Sequence, residues 1–215
     1  MSILRSLFDL IFPERCVGCR CRETSLCDNC LSLVSPPREN PETWIHAVFS
    51  YKDPKIKKAI WLLKYKNRKR LAQTFGNALA DLVLEDIAEN IQFERAANII
   101  LVPIPISRSR LRERGYNQAY LIAAALKNRL NDTRISIGNN LLKKEIDTKR
   151  QSHTKSRRER LENIVGSFTG IKSCDPRSLY ILIDDVTTTG ATLIEARKIL
   201  RAGGARKIKA YTVAH

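Results

Sequence analysis

Apolar positions along the chain follow two rhythms, and their alternation predicts the architecture. Runs beginning at Trp44 (WIHAVFSYK) and Asn98 (NIILVPIP), at 180–183 (YILI) and near the end (IKAYTVAH) have the length and density of strands. Between them, Leu71, Phe75, Leu79 and Leu82 recur at helical spacing, as do Ala119, Ile122, Leu126 and Leu130. A further helix is expected over 191–200, with Ile194, Ile199 and Leu200 supplying much of its apolar face. Asp53 and Pro54 suit a helix start, as N-cap and first helical residue. Strands alternating with helices predict an α/β fold with a mainly parallel sheet, whose ligands lie at the carboxyl ends of the strands. There is no internal repeat.

The stretch 180–192, YILIDDVTTTGAT, joins a buried strand to a helix through an unusual turn. It is rich in hydroxyls and free of large side chains. Such a turn aims backbone N–H groups at a positive helix N-terminus, which suits a phosphate. Asp184 and Asp185 repel that phosphate, but they can accept hydrogen bonds from paired ribose hydroxyls or lie near a magnesium ion. A sugar phosphate with a 5-phosphate and a vicinal diol satisfies all of these groups. A Walker loop is excluded, since no lysine follows Gly190.

Composition adds a small second unit and a partner. Five of the six cysteines fall within 16–30, and Cys16-x2-Cys19 and Cys27-x2-Cys30 form two knuckles. Two such pairs can set four thiolates tetrahedrally around Zn2+, a structural site with no open position. Cys21 is left over; it can replace Cys19 or stay free. Disulfides and an iron–sulfur cluster are the rivals. A segment this short needs such a staple to fold. The stretch SPPRENPE at 35–42 then reads as a linker, so the expected units are 1–40 and 41–215. The opening MSILRSLFDLIFPERC is amphipathic and reads as a docking helix rather than a signal peptide. With no run long enough to span a bilayer, the expected place is the cytoplasm, with the inner face of the membrane within reach of that helix. The net charge of +16 exceeds what solubility requires and points to a polyanionic partner.

The pattern of apolar strand, Asp-Asp, apolar residue and Thr-Thr-Thr-Gly-Ala-Thr resembles the phosphoribosyl pyrophosphate (PRPP) fingerprint of type I phosphoribosyltransferases. The knuckles, LKYKNR at 63–68, VPIPISRSRLRERGYNQA at 102–119 and RQSHTKSRRERLENIVGSF at 150–168 precede it. In that order they are similar to the ComF family, proteins tied to natural transformation and related to GntX-like proteins. The most telling inner motifs are Arg114-Gly115-Tyr116-Asn117-Gln118 and Arg160-x2-Asn163. One departure is Lys143 and Lys144 after NNLL, where the family pattern has an arginine.

The resemblance implies a type I phosphoribosyltransferase fold behind a four-cysteine zinc finger. It implies that Asp184 and Asp185 hold the ribose hydroxyls of PRPP. It also implies that Val186, Thr187, Thr188, Thr189, Gly190, Ala191 and Thr192 wrap its 5-phosphate, with Mg2+ accompanying the ligand. Ser107, Arg108 and Arg110, after the strand from Asn98, are candidates for the pyrophosphate side. Lys64, which resembles a lysine near the same pocket, is a further pyrophosphate-side candidate, against the plainer reading of a snorkelling surface lysine. The region 148–160, with Gln151 and Arg160, suits a loop that closes over PRPP. Of His46, His153 and His215, only His153 on that loop is expected near the chemistry, and not as an essential base. No catalytic residue is singled out.

Basic residues concentrate in 52–70, 107–115 and 143–160. With a family tied to DNA uptake, they favour single-stranded DNA as partner, with Lys66, Arg68, Lys69 and Arg70 as candidate contacts. Tyr51, Trp61 and Tyr65 can stack bases, although the core reading is the better one for the aromatics taken alone. Three classes follow: an enzyme transferring the phosphoribosyl group, a PRPP-regulated DNA-binding factor, and a non-catalytic assembly protein among other cytosolic competence proteins. The alternative is a metabolic phosphoribosyltransferase acting on a nucleobase or other small acceptor, with no DNA role.

Overall fold

Strand β6 (Leu179–Val186) is apolar for five residues in succession, and each face of it feeds a different core. Leu179, Ile181 and Ile183 join one cluster with Leu63, Phe75, Leu79, Ile122 and Leu126. Tyr180 and Leu182 join another with Leu193, Ala196 and Leu200. Such a strand is stable only in the middle of a covered sheet, because each exposed face would cost its apolar burial. In the computed structural model, which describes residues 14–89, 96–144, 166–170 and 173–215, β6 is the third of five strands in the order β1-β7-β6-β2-β3. Every pair in this sheet is parallel. Its other strands are β1 (Ile45–Phe49), β2 (Ile99–Pro103), β3 (Ile135–Ile137) and β7 (Lys207–Ala214).

Helices cover both faces. On one lie α2 (Pro54–Tyr65), α3 (Arg70–Glu89) and α5 (Gln118–Leu130), whose buried residues share the cluster of Ile181 and Ile183. Gly76 lets α3 and α5 approach closely: a Cβ there would stand 2.4 Å from Ala125 Cβ. On the other face lies α6 (Ala191–Ala202) with a two-stranded antiparallel sheet of β4 (Leu142–Lys144) and β5 (Phe168–Gly170). The apolar face of α6 differs from expectation: Leu193, Ala196 and Leu200 are buried, while Ile194 is 43% exposed. Asp53 caps α2 as expected, accepting from Lys55 N at 2.7 Å and Ile56 N at 3.4 Å. The short helix α4 (Arg108–Arg114) was not expected; it has no buried residue to reveal it.

The cysteine segment, with α1 (Asp28–Ser32), packs onto the same core through Cys16, Leu26, Cys30 and Val34. Arg68 reaches Glu14 at 2.7 Å, and Lys55 Nζ donates to Cys30 O at 3.3 Å, tying this segment to α2 and its C-terminal end. Among the described residues, no helix is long and apolar enough to cross a membrane. The amphipathic opening segment lies outside the described residues.

Candidate functional site

The alternation of β6 continues through its two carboxylates. Asp185 has the parity of Ile181 and Ile183 and so points to the α2 side, whereas Asp184 follows Tyr180 and Leu182. Lys64, in the last turn of α2, meets Asp185 there, with Nζ 2.8 Å from Oδ2. Asp185 is buried, and the lysine is partly covered. Burial disfavours the ammonium, but the charges of Asp185 and Asp184 outweigh it and raise the lysine pKa. Burial, and then the neighbouring charge of Asp185, push Asp184 up to about 8 against the pull of Lys64. Lys64 thus stands at the acid pair.

The motif at 114–118 explains how Lys64 is aimed. Tyr116 donates its hydroxyl to Leu63 O, next to Lys64, and is itself buried. Arg114 bonds Tyr65 Oη at 3.3 Å and Gln118 Oε1 at 2.9 Å, and lies 4.9 Å above the Tyr65 ring. Gly115 ends α4 at φ 76°, a left-handed turn that suits glycine. Asn117 caps α5 through Ala119 N and donates to Ile104 O at 3.0 Å. These bonds lock the ends of α2 and β2 beside the end of β6, where Ile104 N donates to Ile183 O. Sequence reasoning singled this motif out without a role; its role needs the long-range contact to α2.

After β6 the chain turns through Thr187, which is buried and donates its N–H to Ala214 O, and Thr188, which is exposed. Gly190 holds φ 74° at the start of α6, and no side chain caps that helix in the usual way. Ala191 N has Thr189 Oγ1 at 3.4 Å. Val186, Thr189, Ala191 and Thr192 are half-buried along the turn. The phosphate candidates therefore form one continuous turn directly beyond the acid pair. Ser107 is buried and caps α4 by accepting from Arg110 N; Arg110 is half-buried and Arg108 exposed, after the strand neighbouring β6. Gln151, His153 and Arg160 lie outside the described residues.

A groove of about 900 Å3 borders the turn on the side of β7 and β1, with Thr187, Thr188, His215, Tyr51, Lys52 and Lys57 among its walls. His215 Nδ1 lies 3.2 Å from Thr187 O. Sequence reasoning expected His153, which lies outside the described residues, as the one histidine near the chemistry; His215 too stands beside the turn, brought there by the pairing of β7 with β6.

The thiols converge as the knuckles predicted, with a difference of membership. Those of Cys16, Cys19, Cys21 and Cys27 all lie within 4.8 Å of one another, so Cys21 joins the cluster. The Cys30 thiol adjoins those of Cys27, Cys16 and Cys19. Sulfur separations of 3.6 Å for Cys16–Cys27 and Cys19–Cys27 approach the ~3.8 Å edge of a Zn–S4 tetrahedron. Gly18 N and Cys27 N each point at Cys16 Sγ from 3.4 Å, and a Cβ on Gly18 would stand 2.5 Å from Cys30 Sγ. Burial opposes the Cys16 thiolate, yet these N–H groups bring its pKa down to about 6. Burial and the neighbouring thiols push Cys30 up to about 12. The cluster is compatible with a structural zinc ion.

One expectation for the basic surface changes. Trp61 is 40% exposed and Tyr65 37%, against the core reading for these aromatics. Lys58 and Lys66 lie 4.4 and 5.4 Å from the Trp61 ring centre. Of the DNA candidates, Arg68 is held by Glu14, Lys69 lies 4.7 Å from the Tyr116 ring centre, and Arg70 is exposed at the start of α3.

Fold and site together define an α/β protein with an acid pair and a threonine-rich turn at the end of its central strand, and a thiol cluster packed on the same core. No protein-family model matches the chain. Competence protein F of Haemophilus influenzae is 32% identical over 192 residues, 87% of this chain and 77% of that protein. Competence protein ComFC of Streptococcus pneumoniae is 27% identical over 208 residues, 97% and 84% of the two chains. ComFC of Bacillus subtilis is 36% identical over 117 residues, 54% and 44%. The chain belongs to the ComF family of competence proteins.

Proposed function

We propose that this ComF-family protein acts in natural transformation and binds PRPP with Mg2+ at the turn after β6. The observation that carries the reading is the succession, on one strand end, of a paired carboxylate cluster and a side-chain-poor turn into α6. Asp184 and Asp185 take the ribose hydroxyls, and the turn from Val186 to Thr192 takes the 5-phosphate through its N–H groups and hydroxyls. Ser107, Arg108 and Arg110 serve the pyrophosphate, and Gln151 and Arg160 belong to a loop that closes over the ligand. Phosphoribosyl transfer follows if an acceptor reaches C1 of the ribose, where its new bond replaces the C1–O bond and pyrophosphate leaves. In this reading, residues 41–215 form a type I phosphoribosyltransferase-like domain, and 1–40 an amphipathic helix with a zinc finger. The protein works in the cytoplasm, with the inner membrane face within its reach and other cytosolic competence proteins as candidate partners.

A second element of the reading is single-stranded DNA. Exposed Trp61 and Tyr65 one turn apart on α2, with Lys58, Lys66 and Arg114 around them, combine stacking surface with positive charge. A metabolic transferase acting on a nucleobase or other small acceptor needs no such surface. Isothermal titration with PRPP–Mg2+, with and without single-stranded DNA, tests the whole. Wild-type protein binds both, and the Asp184→Asn/Asp185→Asn variant loses PRPP but keeps DNA. Equal PRPP binding by variant and wild type overturns the site. Normal transformation by a strain carrying the variant favours an assembly role over PRPP chemistry. DNA affinity that is flat with salt removes the nucleic-acid role.

A further inference from the structure

A carboxylate pair on adjacent residues, one of them buried, ordinarily needs a cation, and a divalent ion is the usual supplier. Here the chain provides one itself. Lys64 Nζ lies 2.8 Å from Asp185 Oδ2, and the ammonium is attracted by both aspartates. Its position is over-determined. Leu63 and Ile60, its neighbours on α2, are almost fully buried; Tyr116 grips Leu63 O; Arg114 grips Tyr65. A Mg2+ bound to the same carboxylate oxygen would sit ~2.1 Å from it, and so less than about 5 Å from the ammonium, which stands 2.8 Å from that oxygen. Two cations that close repel strongly in a water-poor site.

We propose that Lys64 is the resident cation of the acid pair, taking the place a divalent ion would otherwise have there. The pair then binds the diol of a ribose phosphate without metal. Any Mg2+ enters with the pyrophosphate of the ligand, on its phosphate oxygens. The idea rests on the sugar-phosphate reading of this site, but its first test does not.

That first test uses Mn2+ and no sugar. The paramagnetic resonance signal of free Mn2+ is followed as the full-length protein is titrated, with Asp184→Asn/Asp185→Asn as background. Wild type and Lys64→Arg show no Mn2+ site above that background. Lys64→Met and Lys64→Gln each gain one site, and adding Asp185→Asn abolishes it. A wild-type site that disappears with Asp185→Asn overturns the proposal, as does the absence of any gain in folded Lys64→Met and Lys64→Gln proteins. The second test needs no variant. Ribose 5-phosphate, which lacks the pyrophosphate, binds wild type within about twofold as well with no divalent ion added and no chelator present as with Mg2+. Binding only with Mg2+ overturns the proposal. If ribose 5-phosphate binds in neither condition, the sugar-phosphate reading falls, and the Mn2+ result still decides the role of Lys64.

Discussion

The thiol cluster and the acid pair are both gatherings of groups that ionise to anions, and they solve the same electrostatic problem in opposite ways. In the cysteine cluster the thiols shift one another, with Cys16 and Cys19 pulled toward ionisation and Cys21 and Cys30 pushed away from it, while Lys55 donates to the Cys30 carbonyl. Sulfurs that share too few protons in this way await an external cation. At the end of β6 the chain brings its own, because α2 carries Lys64 to Asp185. Where the fold supplies the counter-charge, the site can stand preformed; where it does not, folding and metal binding are one event.

Chelation exposes the contrast most strongly. Stripping metal from the zinc-loaded protein removes a binding energy of the order of 10–16 kcal/mol from the knuckle. The expected outcome is selective loss of amide protection over 14–35, while β6, β2 and β7 stay protected. Equal loss in both regions breaks the comparison.

The acid pair answers to pH instead. Asp184 has its folded pKa raised to about 8, mainly by burial. A raised carboxyl pKa contributes stability that is full below the unfolded value and is lost as pH rises through the folded one. Denaturant titrations should therefore show stability falling from about pH 4 toward pH 8, by at most ~1.4 kcal/mol per pH unit for one proton. Asp184→Asn should flatten that slope. An unchanged slope in the variant would assign the effect elsewhere.

Removing the internal counterion comes next. Lys64→Met leaves Asp185 buried and uncompensated, at a cost of about 3–5 kcal/mol. Lys64→Met/Asp185→Asn should recover much of that loss in the same thermal or urea measurement. A double variant as unstable as the single one would mean that the lysine matters through packing alone.

The smallest effect belongs to the outer face of α2. Trp61→Ala and Tyr65→Ala should each weaken single-stranded DNA by about 1–3 kcal/mol; Trp61→Ala should shift stability little, since its ring is substantially exposed, whereas Tyr65→Ala also removes the partner of Arg114. Unchanged DNA affinity would mark the face as solvated surface.

Legibility in the sequence followed the range of the interactions. The strand and turn at 179–192 could be read directly, because every property there is local: unbroken apolar burial, adjacent carboxylates, a glycine at positive φ. The cap at Asp53 and the stripe Leu71, Phe75, Leu79 were equally local, and they stand. What the residues alone could not give was pairing across the chain. Lys64 was visible as an isolated cation on an apolar helix, but its partner is a distant strand that only the packing of α2 on the sheet brings near. Strands β3, β4 and β5 have three residues each, too few for a period to appear. Ile194 was counted as apolar face on composition, although Leu193 sits one position around the helix and takes the core. Five sulfurs in 16–30 made a metal site legible, whereas membership of Cys21 or Cys30 depends on how the loop closes.

The central claim, that one sugar phosphate bridges the acid pair and the turn, is tested most directly by backbone amide NMR of the labelled protein titrated with PRPP–Mg2+. The account predicts the largest saturable shifts at Asp184, Asp185 and 186–192, with the turn amides moving downfield as they donate to phosphate oxygens. Shifts confined to other segments, or none at saturating ligand, would contradict it.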